Sequence, residues 1–135
     1  MREAERSDAP AVVALWREAA AEPTVSDNEA SIVRLLDHDP QALLVAEVDG
    51  QLVGTLISGW DGWRANVYRL ATVPDARRQG VATALVREAE RRFRRRGALR
   101  ISAIVIDTNA EAVAFWQSAG FELQPDRARL VKNLR

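Results

Sequence analysis

Residues 73–85 read V-P-D-A-R-R-Q-G-V-A-T-A-L and join an apolar strand to an amphipathic helix. Before them, residues 67–73 form a β-favouring run that stops at Pro74, which has no N–H group to donate to a sheet. After them, apolar side chains recur at helical spacing, at Ala82, Leu85, Val86, Ala89 and Phe93. The stretch therefore predicts a short glycine-containing turn between a strand and a helix.

The turn itself carries the pattern Arg77-x-x-Gly80-x-Ala82, which can aim successive backbone N–H groups at one point. The first N–H groups of a helix lack internal partners and the helix dipole is positive there, so that point attracts phosphate. Gly80 and Ala82 keep side-chain bulk away, which would let a pyrophosphate touch the backbone. Taken alone, the pattern is more often an arginine-rich solvent turn that begins a helix, so the surrounding elements must decide.

Composition bounds the class of protein. The 135 residues predict a single domain, 1–135, with one ordinary core. The 19 basic and 19 acidic residues cancel, which argues against a nucleic-acid or membrane partner. No apolar run approaches the roughly 20 residues of a membrane span. Cysteine is absent, which excludes disulfides, a thiolate nucleophile and a cysteine zinc site. We expect a cytoplasmic protein without a metal.

The remaining chain alternates between helical and strand patterns. Helices are predicted at about 7–21, with Ser7 and Asp8 as caps, around Ile32 to Leu36, at 81–96 and at 109–119. Strands are predicted at 2–6, 42–48, 52–60, 67–73 and 101–106, with a final hairpin formed by Phe121 and 128–134. Strand, helix and strand from 67 to 106 form a β-α-β unit with parallel neighbours. The fold class is therefore α/β (α+β), a mixed and mostly antiparallel sheet with helices on both faces.

A second motif follows this unit: Asn109-x-x-Ala112-x-x-Phe115-Trp116-x-x-x-Gly120-Phe121. With both motifs in this order and spacing, nearly the whole chain resembles the small bacterial single-domain branch of the GCN5-related N-acetyltransferase (GNAT) family. The resemblance implies the GNAT-like acyl-CoA N-acyltransferase fold. It also implies transfer of an acetyl group from acetyl-CoA to a primary amine of a small molecule, peptide or protein. Homodimers are frequent in the family, so a homodimer is among the expected assemblies.

The resemblance also implies three cofactor-binding segments. The amides of Arg78, Gln79, Gly80, Val81, Ala82 and Thr83 would hold the pyrophosphate, with Arg77 opening the turn. The backbone of Ala71, Thr72 and Val73 would bind the pantetheine arm as an added strand does. The second motif would contribute Asn109, Phe115 and Trp116. Asn109 suits a helix N-cap equally well, and Phe115 suits a core position.

Two residues depart from the family pattern. Many members have a tyrosine, as the acid that protonates the thiolate, where this chain has Trp116, and an indole N–H cannot deliver a proton near neutral pH. Many also have a base at the position of Ile104. These departures leave an alternative open: a non-catalytic or weakly catalytic acyl-CoA-binding or sensing module of the same fold.

The best replacement acid is Tyr68, the only tyrosine. Strand alternation places Asn66, Tyr68, Leu70 and Thr72 on one face, which looks toward the substrate cleft in the family. The alternative is a structural Tyr68 packed in the sheet. For the base, Asp61, or a water ordered by Asp61 or Asp27, is a candidate. Direct attack with water as proton acceptor also remains open, because a thiolate is a tolerable leaving group.

The substrate side is predicted from the loop Trp60-Asp61-Gly62-Trp63-Arg64. We expect Asp61 to attract an ammonium while Trp60 or Trp63 stacks on the rest of the acceptor, the alternative being a packed Trp63–Arg64 corner. Asp27, in the loop between the first two helices, would favour a cationic acceptor.

Two further features are read as structural. His38 stands between two aspartates and is predicted to be a solvated imidazole without a catalytic role. The arginines of the long helix are interrupted by Glu88 and Glu90 and have no interleaved aromatic residues. They therefore predict a solvated face rather than a nucleic-acid interface.

Overall fold

The computed structural model of the protein describes residues 1–19 and 24–134. Its α-helices are α1 (Ala9–Glu18), α2 (Glu29–His38), α3 (Val81–Arg95) and α4 (Ala110–Ser118). Its strands are β1 (Arg2–Glu3), β2 (Leu43–Val48), β3 (Gln51–Trp60), β4 (Ala65–Thr72) and β5 (Ile101–Ala103). The chain divides into two compact units, residues 1–103 and residues 104–135. One domain spanning 1–135 stays a prediction.

The first unit contains a five-stranded sheet in the order β1-β2-β3-β4-β5. The first four strands pair antiparallel with their neighbours. The last pair is parallel, with Ala65 opposite Ile101 and Val67 opposite Ala103. Helix α3 connects the two parallel strands. The predicted mixed sheet with one parallel β-α-β pair is confirmed.

Helices cover both faces of the sheet. On one face, α1 and α2 bury Val12, Trp16, Ile32 and Leu36 in a core cluster with Leu43 and Val45 of β2. Alternate residues of a strand point to opposite faces, so Leu44, which is fully buried, faces the other way. That second face is covered by α3, whose buried residues are Leu85, Val86, Ala89 and Phe93.

Gly54 sets how closely α3 approaches the sheet. A Cβ atom at this position would lie 2.7 Å from Cγ1 of Val81 and 3.1 Å from Cδ1 of Leu85. The first turn of α3 therefore rests directly on the β3 backbone, where any larger residue would hold it off.

The start of the first helix differs from the prediction. Residues Arg6–Asp8 form a 3₁₀ turn, and α1 begins only at Ala9. The Asp8 carboxylate accepts the N–H of Glu5 at 2.7 Å and binds the Arg2 guanidinium at 2.8 Å, so it caps the 3₁₀ turn instead. Hydrogen bonding to Arg2 lowers the pKa of Asp8. Helix α1 ends at Glu18, and the predicted end at Ala21 lies outside the described residues.

The second unit is simpler than the sequence pattern predicted. It contains α4, and residues 121–134 form no strand, so the predicted final hairpin is wrong. Leu130, Val131 and Leu134 are exposed, and the segment after Phe121 is interrupted by Pro125, which leaves few residues for a partner strand. The predicted strand 101–106 likewise ends at Ala103. Within residues 1–19 and 24–134, no helix is long and apolar enough to cross a membrane.

Replacing Gly54 by valine should destabilise the fold by about 1–3 kcal/mol, because the added side chain collides with Val81 and Leu85. Urea unfolding measures the free energy of unfolding directly. Gln51→Val is the matched control, since it adds the same side chain at an exposed position of the same strand and should change stability by less than about 0.5 kcal/mol. Equal midpoints for Gly54→Val and the wild type would contradict the packing described above.

Candidate functional site

The turn before α3 presents unpaired backbone donors. Arg78 (φ 66°) and Gly80 (φ 81°) both occupy the left-handed region, which bends the chain sharply into the helix. Among the described residues, the first N–H group of α3 with a main-chain acceptor is that of Ala84, which donates to Gly80 O at 3.0 Å. The N–H groups of residues 81–83 therefore remain available. Apart from its two chain neighbours, no described residue has an atom within 4 Å of a Cβ built on Gly80, so this side of the turn faces open space. This arrangement suits an anion.

The polar side chains of this turn hold its shape. Arg77 donates from Nη2 to the carbonyl of Ala19 at 3.0 Å, which satisfies an acceptor at the end of α1. Gln79 donates from Nε2 to the carbonyl of Asp75 at 2.8 Å. Arg78 and Thr83 are exposed. The predicted pyrophosphate residues are thus brought together in one turn, in which Arg77 acts as a support.

Strand β4 has an open edge. Its pairing with β5 covers only Ala65 to Val67, whereas β4 continues to Thr72. Within the described residues of the first unit, the edge of residues 68–72 that faces away from β3 has no partner strand. The N–H of Val73 donates to Val53 O at 2.9 Å, toward β3. Because backbone N–H groups alternate along a strand, that of Thr72 points to the open edge.

A bulge interrupts β4 between Tyr68 and Ala71. Tyr68 lies opposite Ile57 and Ala71 lies opposite Thr55, so Arg69 and Leu70 together oppose a single β3 residue. Arg69 has a φ of 50°, a left-handed conformation that costs a non-glycine residue roughly 1–3 kcal/mol.

The bulge changes which residues share a face. Residues paired across a sheet point the same way, so Tyr68 and Ala71 share the face of α1 and α2. Thr72 pairs with Gly54 and lies on the opposite face, toward α3. The prediction that Thr72 shares a face with Tyr68 is therefore wrong, because the strand does not alternate through the bulge.

A cleft of about 200 Å³ lies on the α2 side of the sheet. It brings together four of the predicted site residues, Trp60, Asp61, Arg64 and Tyr68. The end of α2 and the residues after it contribute Leu35, His38, Asp39 and Ala42, and the strands add Gly59 and Asn66. Tyr68 is 43% exposed, so its ring is not buried in the sheet. His38 also lines the cleft, although the sequence predicts no catalytic role for it.

The position of His38 follows from how the chain leaves α2. The carbonyl of Ala42 accepts the N–H of Ser58 at 2.7 Å and its hydroxyl at 3.2 Å. These bonds hold the segment after α2 against the end of β3. No local sequence signal identifies this contact, since the bonded residues are 16 positions apart.

Asp61 is held by the hairpin that it closes. Its Oδ1 atom accepts the N–H groups of Arg64 at 2.7 Å and Trp63 at 2.8 Å. These two bonds, Arg64 first, lower the pKa of Asp61 below its ordinary value. The carboxylate is therefore ionised at neutral pH, which makes it a good partner for a cation and a weak proton acceptor.

The two hairpin tryptophans have different surroundings. The Arg64 guanidinium lies 4.2 Å from the centre of the Trp63 ring, a cation–π contact. Trp63 is nevertheless 73% exposed and does not line the cleft, whereas Trp60 does. The Trp–Arg corner considered from the sequence is thus present at Trp63.

Asp27 is engaged by Arg69. Arg69 Nε donates to Asp27 Oδ1 at 2.9 Å, and its Nη2 contacts the second carboxylate oxygen. Both side chains are largely buried, at 14% exposure for Asp27 and 19% for Arg69. The charge of Asp27 is therefore compensated within the protein, and Asp27 does not line the cleft.

In the second unit, Asn109 caps α4 by accepting the N–H of Ala112 at 3.1 Å. Trp116 makes edge-to-face contacts with two rings, Phe115 at 5.4 Å and Phe121 at 4.9 Å between centroids. Ile104 is 56% exposed. Trp116 thus has a packing role within its own unit.

Three arginines of α3 form ion pairs with nearby acids. Arg91 contacts Glu88, and Arg92 binds Glu3 at 2.7 Å. Arg94 lies 3.8 Å from Glu90. Arg91, Arg94 and Arg95 are exposed, in agreement with the solvated face that the interrupted charge pattern predicts. Within the described part of the chain, no cluster of three His, Asp or Glu side chains could hold a metal ion.

Comparison with known proteins identifies the family. Residues 10–121 match the acetyltransferase (GNAT) family. An acetyltransferase of Yersinia enterocolitica is 35% identical over 130 residues, which cover 96% of this chain and 92% of the relative. The structure of Ard1 from Thermoplasma volcanium superposes with a TM-score of 0.81 at 25% identity, covering 91% and 82% of the two chains. That of the paiA N-acetyltransferase from Thermoplasma acidophilum, in complex with coenzyme A, gives 0.80 at 17% identity, covering 93% and 91%. The chain belongs to the GNAT family of acetyltransferases.

Proposed function

We propose that this protein is an N-acetyltransferase that moves an acetyl group from acetyl-CoA to a primary amine of a small molecule, peptide or protein. One observation carries the proposal: the free N–H groups at the start of α3 and the open edge of β4 are separated in the chain only by residues 73–80, which form the 3₁₀ turn Pro74–Ala76 and the turn that follows it. An anion site beside an unpaired strand edge suits a ligand with a diphosphate followed by an amide-containing arm. We also propose a cytoplasmic location, where acetyl-CoA and amine metabolites meet.

The cofactor would be held mainly by backbone atoms. The amides of residues 78–83 would bind the diphosphate, and the space beside Gly80 leaves room for it. Residues 71–73 would bind the pantetheine arm, and the Thr72 N–H would face the thioester carbonyl. Acetyl-CoA supplies the activated acetyl group. The coenzyme A in the Thermoplasma acidophilum structure supports this part of the proposal.

The acceptor would lie in the cleft beside β4. Ionised Asp61 would attract its ammonium group, and Trp60 would pack on its apolar part. An amine must lose its proton before it attacks. Because Asp61 is a weak base, water would accept that proton, and the Tyr68 hydroxyl would protonate the leaving thiolate.

A second candidate is an acyl-CoA-binding module without efficient turnover. The packing of Trp116 between Phe115 and Phe121 favours it, because an aromatic contact occupies the position of the family's usual acid. Binding of acetyl-CoA without thiol release from any amine would select this candidate.

Gly80→Glu should weaken coenzyme A binding at least about 100-fold, because a carboxylate placed near the diphosphate repels it by roughly 3–4 kcal/mol. Calorimetric titration with coenzyme A measures the Kd. Gly80→Ala is the matched control, since it shares the backbone strain at φ 81° without the charge and should bind more tightly than the glutamate variant. Equal affinity of Gly80→Glu and the wild type would show that the diphosphate lies elsewhere.

Tyr68→Phe should lower kcat by about 100-fold, the usual contribution of a positioned general acid, with the Kd for coenzyme A unchanged. Thiol release from acetyl-CoA against a panel of amines gives kcat and KM. If the variant keeps the wild-type kcat, Tyr68 is not the acid.

A further inference from the structure

Arg69 joins three parts of the first unit that are distant in sequence. We propose that it is a positioning residue, which fastens the loop of residues 24–28 to the β4 bulge and so holds Tyr68 and the open edge of β4 in one arrangement. The proposal rests on the proposed function, because that function places acetyl transfer at Tyr68 and the edge.

The first anchor is the Asp27 carboxylate. The Arg69 guanidinium meets both of its oxygens, with Nε 2.9 Å from Oδ1, and lies 3.4 Å from the Thr24 hydroxyl. Asp27 Oδ2 also accepts the N–H of Thr24 at 2.7 Å. A two-point contact between largely buried partners fixes direction as well as distance. If the loop moved away from β4, the charges of Arg69 and Asp27 would either become exposed or remain buried without a partner.

The second anchor is the backbone of Arg69 itself. Its carbonyl accepts the hydroxyl of Thr55 at 2.9 Å, and Thr55 Oγ1 in turn accepts the indole N–H of Trp16 at 2.9 Å. The Arg69 guanidinium lies 5.7 Å from the Trp16 ring. Thr55 is fully buried, so its hydroxyl has no water to replace these partners. Side chain and carbonyl are thus both held, which is the condition under which a strained φ of 50° persists.

The position of Arg69 in β4 links this anchoring to the proposed acetyl-transfer site. The bulge lies directly between Tyr68, the proposed acid, and Ala71, which begins the proposed pantetheine segment. If Arg69 relaxed to an extended conformation, the strand would alternate regularly again. Tyr68 and Ala71 would then no longer share a face. The ion pair with Asp27, 42 positions earlier in the chain, opposes that relaxation.

Hydrogen exchange tests the anchor without reference to catalysis. In Arg69→Met and in Asp27→Asn, the hydrogen-bonded amides of residues 24–28 and 68–72, among them Asp27 N–H on Thr24 O and Ala71 N–H on the β3 side, should exchange at least about tenfold faster than in the wild type. Arg6→Met is the matched control, because it removes an exposed ion pair with Asp37 and should leave both segments unchanged. Unchanged protection in Arg69→Met and Asp27→Asn would overturn the proposal.

Kinetics then test the link to the acetyl-transfer site. Calorimetry gives the number of coenzyme A sites, and kcat is expressed per site. This kcat should fall at least about tenfold in Arg69→Met and in Asp27→Asn. The double variant should be no slower than the slower of the two single variants, because both remove the same contact. Arg69→Lys keeps the positive charge but loses the two-point guanidinium contact, so its kcat should lie between those of the wild type and Arg69→Met. A purely structural role would reduce the number of binding sites and leave kcat per site unchanged, which would overturn the proposal.

The outcomes separate this inference from the proposed function. If the wild-type protein binds coenzyme A but acetylates no amine, the proposed function is wrong. Hydrogen exchange would still decide whether Arg69 holds the loop and the bulge. A raised KM for cationic amines in Asp27→Asn alone, with Arg69→Met unaffected, would instead assign Asp27 to the acceptor and overturn the positioning role.

Discussion

The contact between Val81 and the bare backbone of Gly54 decides where the candidate site can form. Gly54 belongs to the central strand and pairs with Thr72 on one side, while Val81 is the first residue of α3. Because no Cβ separates them, the helix begins directly beside the end of β4. This apolar contact thereby brings two kinds of free backbone donor close together, one at a helix start and one at a strand edge. Protein interiors tolerate little change in volume. The short distance between α3 and β3 therefore depends on the absence of a Cβ atom at Gly54.

On the opposite face of the sheet, buried hydrogen bonds run through the apolar core of α1 and α2. Trp16, Thr55 and the carbonyl of Arg69 form a chain whose members are buried or partly buried, and the guanidinium extends it to Asp27. A buried polar group left without its partner costs roughly 1–3 kcal/mol, so such a chain tolerates few alternative arrangements. The α3 face therefore sets how close the helix lies, and the α1 face sets where β4 is bulged.

The sequence predicts the parts of the fold that are periodic. Helices α2 and α3, strands β2 to β4, the parallel pair and the glycine-containing turn before α3 all follow from local patterns and from the two motifs. The bulge does not, because residues 66–72 look like an uninterrupted strand and the extra residue is visible only in the register with β3. Asp27 illustrates the same limit: as a loop carboxylate it suggests a cation site, but its partner is 42 residues away. The segment 128–134 shows a further limit: its alternating residues predict a strand, but a strand also needs a partner, and residues 121–134 form none.

Asp61 shows how a turn can decide the chemistry of a cleft. The same N–H groups that close the hairpin lower the pKa of its carboxylate, so the residue that holds the charge is made a poor base. In the proposed function, Asp61 would therefore attract the acceptor by its charge, while water and Tyr68 would carry out the proton transfers. A fixed negative charge favours the ammonium form of the acceptor, whereas attack requires the neutral amine, so attraction and reactivity oppose each other. Under the proposed function we therefore expect acceptors that carry a second cationic group for Asp61, with the reacting amine nearer Tyr68 on β4, a strand that contains no Asp or Glu.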